Sequence, residues 1–379
     1  MPVWLRLAIG GGATLLVGMG IGRFSYTPLI PAIILDGALT AAEAGYVGAF
    51  NLGGYLLGAL AVPVLRRRYR TMPVLKAALL ISLVCLVASI FPFGFLWLVW
   101  WRTLVGVTVA VLMIYSLALV TTSVPSDRLG KATGVVFTGV GVAILMSGTL
   151  VPTLLEFGLA AAWTGLAIVG TVGVLIGWWG LAAARDAPAP ERDISPPIDW
   201  ASSRLVAAQG LFAVGLVPHS IYWVDYVARG LDLGMGQGGF QWVLVGVGAV
   251  GGTYLCGWLA DRIGFASALV LVFGVLAVGI AVPVIYPVGA ALVASSLIFG
   301  GQPGLSAVIA GRARQIVGAR DMPHVWRRMV LSVGISQTVS GYALVALFNA
   351  TGSYTPVFLI GGAAMALGAV LSLPIWARS

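Results

Sequence analysis

About a dozen long apolar runs follow one another along this chain of 379 residues, and nearly all of its positive charge sits in every second gap between them. Runs of about 18 or more apolar residues can cross the roughly 30 Å hydrocarbon core of a bilayer. Charged residues make up only 9% of the chain, against roughly 25% in a water-soluble domain, and the mean hydropathy is +1.03. Bilayer hydrocarbon offers backbone N–H and C=O groups no water, so each run must satisfy its own backbone as a helix. The pattern predicts an all-α membrane protein of twelve spans, over about 7–34, 42–65, 73–92, 95–123, 131–154, 160–183, 204–229, 238–260, 265–285, 288–311, 324–348 and 354–377. The 52 glycines suit close helix approach, as at Gly139/Gly141 and Gly246/Gly248.

All but three of the 21 basic residues fall on one side of this arrangement. Arg6, then Arg66, Arg67, Arg68, Arg70 and Lys76, then Arg128 and Lys131 mark the N-terminus and the second and fourth gaps. Arg185, Arg192 and Arg204 mark the centre. Arg262, the group Arg312, Arg314, Arg320, Arg327 and Arg328, and finally Arg378 mark the rest. The opposite gaps carry Asp36, Glu43, Glu156 and Asp232, with Arg229 the nearby cation. The positive-inside rule then predicts a multi-pass protein of the inner (cytoplasmic) membrane with both termini in the cytoplasm. The net charge of +9 is thus a topology signal, and no nucleic-acid partner is expected. The first run is too long for a signal peptide and lacks a small-residue cleavage site. Cys85 and Cys256 fall inside spans and imply neither disulfide nor metal framework.

A stretch rich in proline and charge, 184–203, reads as a cytoplasmic linker between a bundle over 1–183 and a second over 204–379. A weak repeat at an offset of about 199 residues relates the halves: Gly53 and Gly58-Ala-Leu-Ala match Gly252 and Gly257-Trp-Leu-Ala-Asp261-Arg262-Ile-Gly264. Parallel six-span repeats are a known transporter architecture. Residues 257–264 resemble the signature loop of the major facilitator superfamily, and Val62-Pro63 stands where the first copy would carry its Asp. Arg102-x-x-x-Gly106 resembles a second motif found in many proton-coupled members. Gly20-Ile-Gly-Arg23-Phe-Ser-Tyr26-Thr-Pro28-Leu-Ile-Pro31 is similar to the first helix of the YbfB/YjiJ-like bacterial group. The resemblance implies two six-helix bundles, transport by alternating access, and spans 1, 4, 7 and 10 around a central cavity. It supplies no ligand.

Charges at bilayer depth cost at least about 2.5–3.5 kcal/mol on insertion scales and mark sites or partners. Arg23 lies about 21 Å along span 1 from the cytoplasmic side, and Arg102 about 10 Å along span 4 from the external side. Both fall in the outer third of the membrane, where two guanidiniums could share one anion through planar, bidentate hydrogen bonding. Two other readings stand beside this: Arg102 pinned by backbone carbonyls as an organising residue, and Arg23 snorkelling outward. Span 7 carries His219, Tyr222 and Asp225 on one helix face, next to Trp223. His219 and Asp225 are candidates for proton coupling, against packing or helix-end roles. Tyr26, Asn51, Tyr55, Tyr115, Gln302 and Gln337 are polar candidates for the cavity, with Trp223 and Trp242 as apolar wall. Gln302-Pro303-Gly304 should break span 10. Asp261 and Arg262 are candidate gating residues, Asp261 bonding to backbone or to Arg327 or Arg328 when the cytoplasmic side closes.

No nucleophile elbow, phosphate loop or His/Cys cluster appears, so neither an enzyme nor a metal or cofactor is expected. The expected function is secondary active transport of a small organic anion, a carboxylate foremost, coupled to protons. The expected protein is a monomer whose partners are substrate, protons and lipid. A proton-driven exporter of drugs or metabolites and a non-transporting membrane sensor remain as alternatives.

Overall fold

The computed structural model describes residues 1–91, 93–186 and 199–374. The proline-rich centre of the expected linker, with Arg192, lies outside the described residues, as do Arg378 and the side chain of Arg320. Among the described residues, eleven helices are long and apolar enough to span a membrane, and one bent pair makes a twelfth. They are α1 (Val3–Leu35), α2 (Ala41–Arg68), α3 (Thr71–Ala88), α4 (Phe95–Ser123), α5 (Leu129–Leu155), α6 (Leu159–Leu181), α7 (Trp200–Gly230), α8 (Gly234–Ile263), α9 (Phe265–Ile285), α10 (Gly289–Gly300 with Gln302–Gly318), α11 (His324–Thr351) and α12 (Tyr354–Leu371). No strand occurs among the described residues. The two parts of α10 meet at 41°, at the Gln302-Pro303-Gly304 position where sequence placed a break.

Local chemistry sets the helix ends. A capping box opens α2: the Thr40 backbone N–H donates to Glu43 Oε2 at 2.8 Å, and the Glu43 N–H donates to Thr40 Oγ1 at 3.2 Å. Asp199 caps α7 by accepting from the Ser202 N–H at 3.0 Å. That cap starts α7 at Trp200, inside the stretch read as linker. The Asp199-Trp-Ala-Ser202 pattern was the available signal, masked by the prolines just before it. Leu57, Leu60, Val64, Tyr254, Leu255 and Trp258 point outward and exposed. Such a surface suits lipid and would not persist in water.

The residues group into two compact units, Met1–Glu191 with Val224–Gly246, and Arg192–Trp223 with Val247–Ser379. Within the first, α2 and α4 touch backbone to backbone: a Cβ on Gly54 would sit 2.0 Å from the Thr103 carbonyl oxygen, and one on Gly106 would sit 2.1 Å from that of Asn51. Gly139 meets the carbonyl of Gly12 in the same way, bringing α5 onto α1. Within the second unit, Gly248 of α8 closes on the Leu297 carbonyl. Small residues let dispersion contacts accumulate where lipid leaves no hydrophobic drive between helices.

Candidate functional site

Proline shapes the first functional segment. Pro28 and Pro31 carry no N–H, so the carbonyls of Phe24 and Thr27 lose their ordinary helical donors. Just upstream, Leu16–Phe24 winds as a wide π-type turn, with the Ser25 N–H reaching back five residues to the Gly20 carbonyl at 3.1 Å. Such wide turns are uncommon and recur at functional sites because they re-aim side chains. This one carries Arg23, which is 9% exposed, against the rings of Phe24 and Tyr55 at 5.3 and 5.9 Å.

Arg102 enters the same neighbourhood from α4 and is 1% exposed. Its Nη2 donates to the Arg23 backbone carbonyl at 3.3 Å, and its guanidinium carbon lies 4.7 Å from the Tyr26 ring centre. Tyr26 is held by its hydroxyl, which donates to the Ala44 carbonyl at 3.1 Å. Asn51 Nδ2 donates to the Arg102 carbonyl at 2.8 Å, tying α2 to α4 at the level of the arginine. Arg102 Nε and Nη1 have no hydrogen-bond partner among the described residues, and no carboxylate pairs with Arg102 there. The carbonyl pin weighed from sequence is therefore present, yet it engages one nitrogen of three. Trp242 completes the aromatic surround, 6.3 Å from Phe24, with its Nε1 donating to Ser147 Oγ at 3.1 Å.

At the far end of α7, Asp225 and Arg229 form a two-point ion pair, Nε to Oδ1 at 2.6 Å and Nη2 to Oδ2 at 3.1 Å. The Asp225 side chain is 2% exposed and that of Arg229 25%. They belong to the first unit. Asp225 thus holds a cation one turn away on its own helix.

The second unit gathers a different cluster. Pro218–Tyr222 is again a π-type turn, at the repeat position of the one in α1. It turns His219 fully inward, between Trp223 and Phe299 at ring distances of 4.5 and 4.3 Å, with Phe358 edge-on at 5.2 Å. His219 Nε2 shares a hydrogen bond with Ser295 Oγ at 2.9 Å, and Trp223 Nε1 donates to Ser296 Oγ at 3.0 Å. Tyr222 packs on Phe348 at 4.8 Å. Sequence periodicity did not indicate the serine pair of α10, because Ser295 and Ser296 sit unmarked in an apolar run.

The remaining candidates are scattered. Tyr115 is buried on α4, about 20 Å along the helix from Arg102 and outside its cluster. Gln302 is half-buried at the α10 break, and Gln337 is fully buried in α11. Asp261 is exposed at the end of α8 and makes no ion pair among the described residues, so its expected bond to Arg327 or Arg328 is not formed in this conformation. Arg262 lies over the Trp258 ring at 4.8 Å.

Residues 15–373 match the family described as uncharacterised MFS-type transporter YbfB. The chain belongs to this family of major facilitator transporters. The transporter is thus an all-α, multi-pass membrane protein whose work is moving a small molecule through the bilayer, and the family points away from an enzyme. None of the curated proteins compared with the chain matches it.

Proposed function

We propose that this transporter carries a small organic anion, a carboxylate foremost, across the inner membrane in exchange for or together with protons, with both termini in the cytoplasm. The observation that carries this reading is Arg102. A guanidinium taken out of water costs several kcal/mol unless paired. The Tyr26 face returns roughly 2 kcal/mol and the Arg23 carbonyl about 1.5–3 kcal/mol. Three N–H donors, one on Nε and two on Nη1, are still unused, and an anion would employ them. A cationic cargo would be repelled.

The proton-coupling role falls to Asp225. Ionised, it holds Arg229; protonated, it gives up that pair and changes the relative stability of the two transport states. His219 is the second candidate, adding positive charge when it gains a proton. Asp261 and Arg262 are the gating residues, with Asp261 bonding to backbone or to Arg327 or Arg328 in one state and released in another, so Asp261→Asn should slow turnover severalfold with little change in substrate affinity. Normal turnover in that variant would remove the gate.

Proteoliposomes with imposed pH gradients test the reading. Uptake of a labelled carboxylate should rise when the outside is acidified and vanish in Arg102→Gln. Flux indifferent to the gradient in both directions would replace proton coupling by facilitated diffusion or anion exchange. Transport of cations in preference to anions would end the anion reading itself.

A further inference from the structure

We propose that the first unit binds a phospholipid with a primary-amine headgroup, such as phosphatidylethanolamine, in a cavity where the α1–α2, α3–α4 and α5–α6 connections meet. The site is separate from Arg102 and does not depend on what that residue carries.

The cavity measures about 300 Å³ and lies wholly within the first unit. Leu39, Phe91, Leu98, Leu159 and Trp163 supply much of its wall. Glycine keeps two of the connections open: Gly94 and Gly158 line the cavity at φ of 84° and 96°, and a Cβ on either would meet no atom within 4 Å. Asp36 is the one charged side chain among the described lining residues. It is exposed and makes no ion pair among the described residues. It also stands at the C-terminal cap of α1, where the helix already gathers partial negative charge, so a cation there would answer both the carboxylate and the helix end.

The Ser89 hydroxyl in the wall gives its hydrogen to the Cys85 carbonyl at 2.8 Å, so it offers a ligand no donor. A carboxylate set on an apolar wall fits an ammonium group, whose N–H bonds it accepts with the help of charge. The surroundings decide where that ammonium comes from. Leu35, Phe93, Leu96 and Phe157, on the same three connections, are 67–78% exposed. Large apolar side chains at the ends of membrane spans lie at headgroup depth. A water-borne amine would leave this rim bare, whereas a lipid covers it while its headgroup enters the cavity. General attraction runs the other way: a net charge of +9 favours anionic lipid, so a preference for ethanolamine would report this site.

The test uses the full-length protein, stripped of lipid in detergent, and follows thermal stabilisation by phosphatidylethanolamine, phosphatidylglycerol and water-soluble phosphoethanolamine. Phosphatidylethanolamine should act at concentrations about threefold to fivefold below phosphatidylglycerol, the range that an ion pair open to water supplies. Asp36→Asn should erase that preference and keep the response to phosphatidylglycerol, which shows that the fold survives. Ala160→Phe fills the cavity from an exposed position of its wall without changing the charge, and it should erase the preference too. If phosphatidylglycerol acts as well as phosphatidylethanolamine on the wild type, or if either variant keeps the preference, the lipid site is wrong. If phosphoethanolamine matches the lipid, the cavity takes a water-borne amine and the lipid occupant is wrong. None of these outcomes bears on the anion reading of Arg102.

Discussion

The wide turns of α1 and α7 occupy matching places in the repeat, yet they deliver opposite chemistry. In α1 the turn carries Arg23, and its backbone carbonyl meets Arg102, whose Nε and Nη1 are left without partners among the described residues. In α7 the turn carries His219 into a stack of three aromatic rings with Ser295 on its Nε2. One segment turns its carbonyl toward a charge on α4 that has donors to offer; the other folds its ionisable ring into packing. Duplication of a backbone device therefore does not duplicate a function. What packs around the side chain that the turn re-aims, and not the turn itself, decides between site and scaffold.

The largest expected effect tests the first half of that contrast. Arg102→Gln keeps some hydrogen bonding and removes the charge. Losing one partner of a buried, charge-assisted contact costs about 2–5 kcal/mol, so carboxylate uptake should fall by a factor on the order of 100 or more. Expression and helical content should stay near wild type, because Asn51 bonds the backbone at this position and not the side chain. Uptake within a few-fold of wild type would make Arg102 a packing residue like its counterpart cluster in α7.

Next in size is Asp225→Asn. The neutral amide cannot hold Arg229 as the carboxylate does at 2.6 Å. Binding should lose its pH dependence, and accumulation against a gradient should drop about tenfold while simple exchange persists. Gradient-driven accumulation in this variant at wild-type level would move the proton elsewhere, with His219 first in line.

His219→Gln sharpens the other half. If the ring is scaffold, the loss is one of packing against Trp223, Phe299 and Phe358, about 1–3 kcal/mol of stability, with less than a threefold change in uptake and an unchanged pH profile. An altered pH profile with intact stability would reverse the comparison and make α7 the proton-carrying helix.

How far the sequence could be read follows the same line. Span count and the break in α10 were legible because hydropathy, proline and glycine act locally. Arg23 and Arg102 were legible as exceptions, since a charge in an apolar run stands out whatever surrounds it. Their surroundings were not legible. That Trp242 would join the Arg23 neighbourhood, or that Ser295 and Ser296 would bond His219 and Trp223, depends on helix rotation and crossing, which one chain's periodicity does not fix. The start of α7 was missed because composition outweighed a local cap at Asp199.

The smallest effect concerns a second contrast between the halves. The last turn of α8 keeps its signature acid, Asp261, which is exposed and makes no ion pair among the described residues; α2 has Val62-Pro63 in that place. An acid from elsewhere serves the first unit. Asp186 Oδ2 accepts from Arg70 Nε at 2.8 Å, and its Oδ1 accepts from the Thr71 N–H, the first of α3, at 2.8 Å. The adjacent Arg185 N–H donates to Ser123 Oγ at the end of α4 at 2.8 Å. The bond from Arg70, followed by that from Thr71, holds the Asp186 carboxyl below its ordinary value of 3.8. A carboxyl lowered on folding contributes stability that is complete above its unfolded value and disappears as pH falls through the folded one. The Arg70 side chain is 82% exposed, so the pair itself adds at most about 1 kcal/mol, and the contact with the α3 N-terminus adds a similar amount. Asp186→Asn should therefore lower the melting midpoint slightly at pH 7 and by less and less as the pH falls below 3.8, with added salt shrinking the difference. A larger loss that is independent of pH would mean that Asp186 acts through packing, and that the first unit has no replacement for the missing acid.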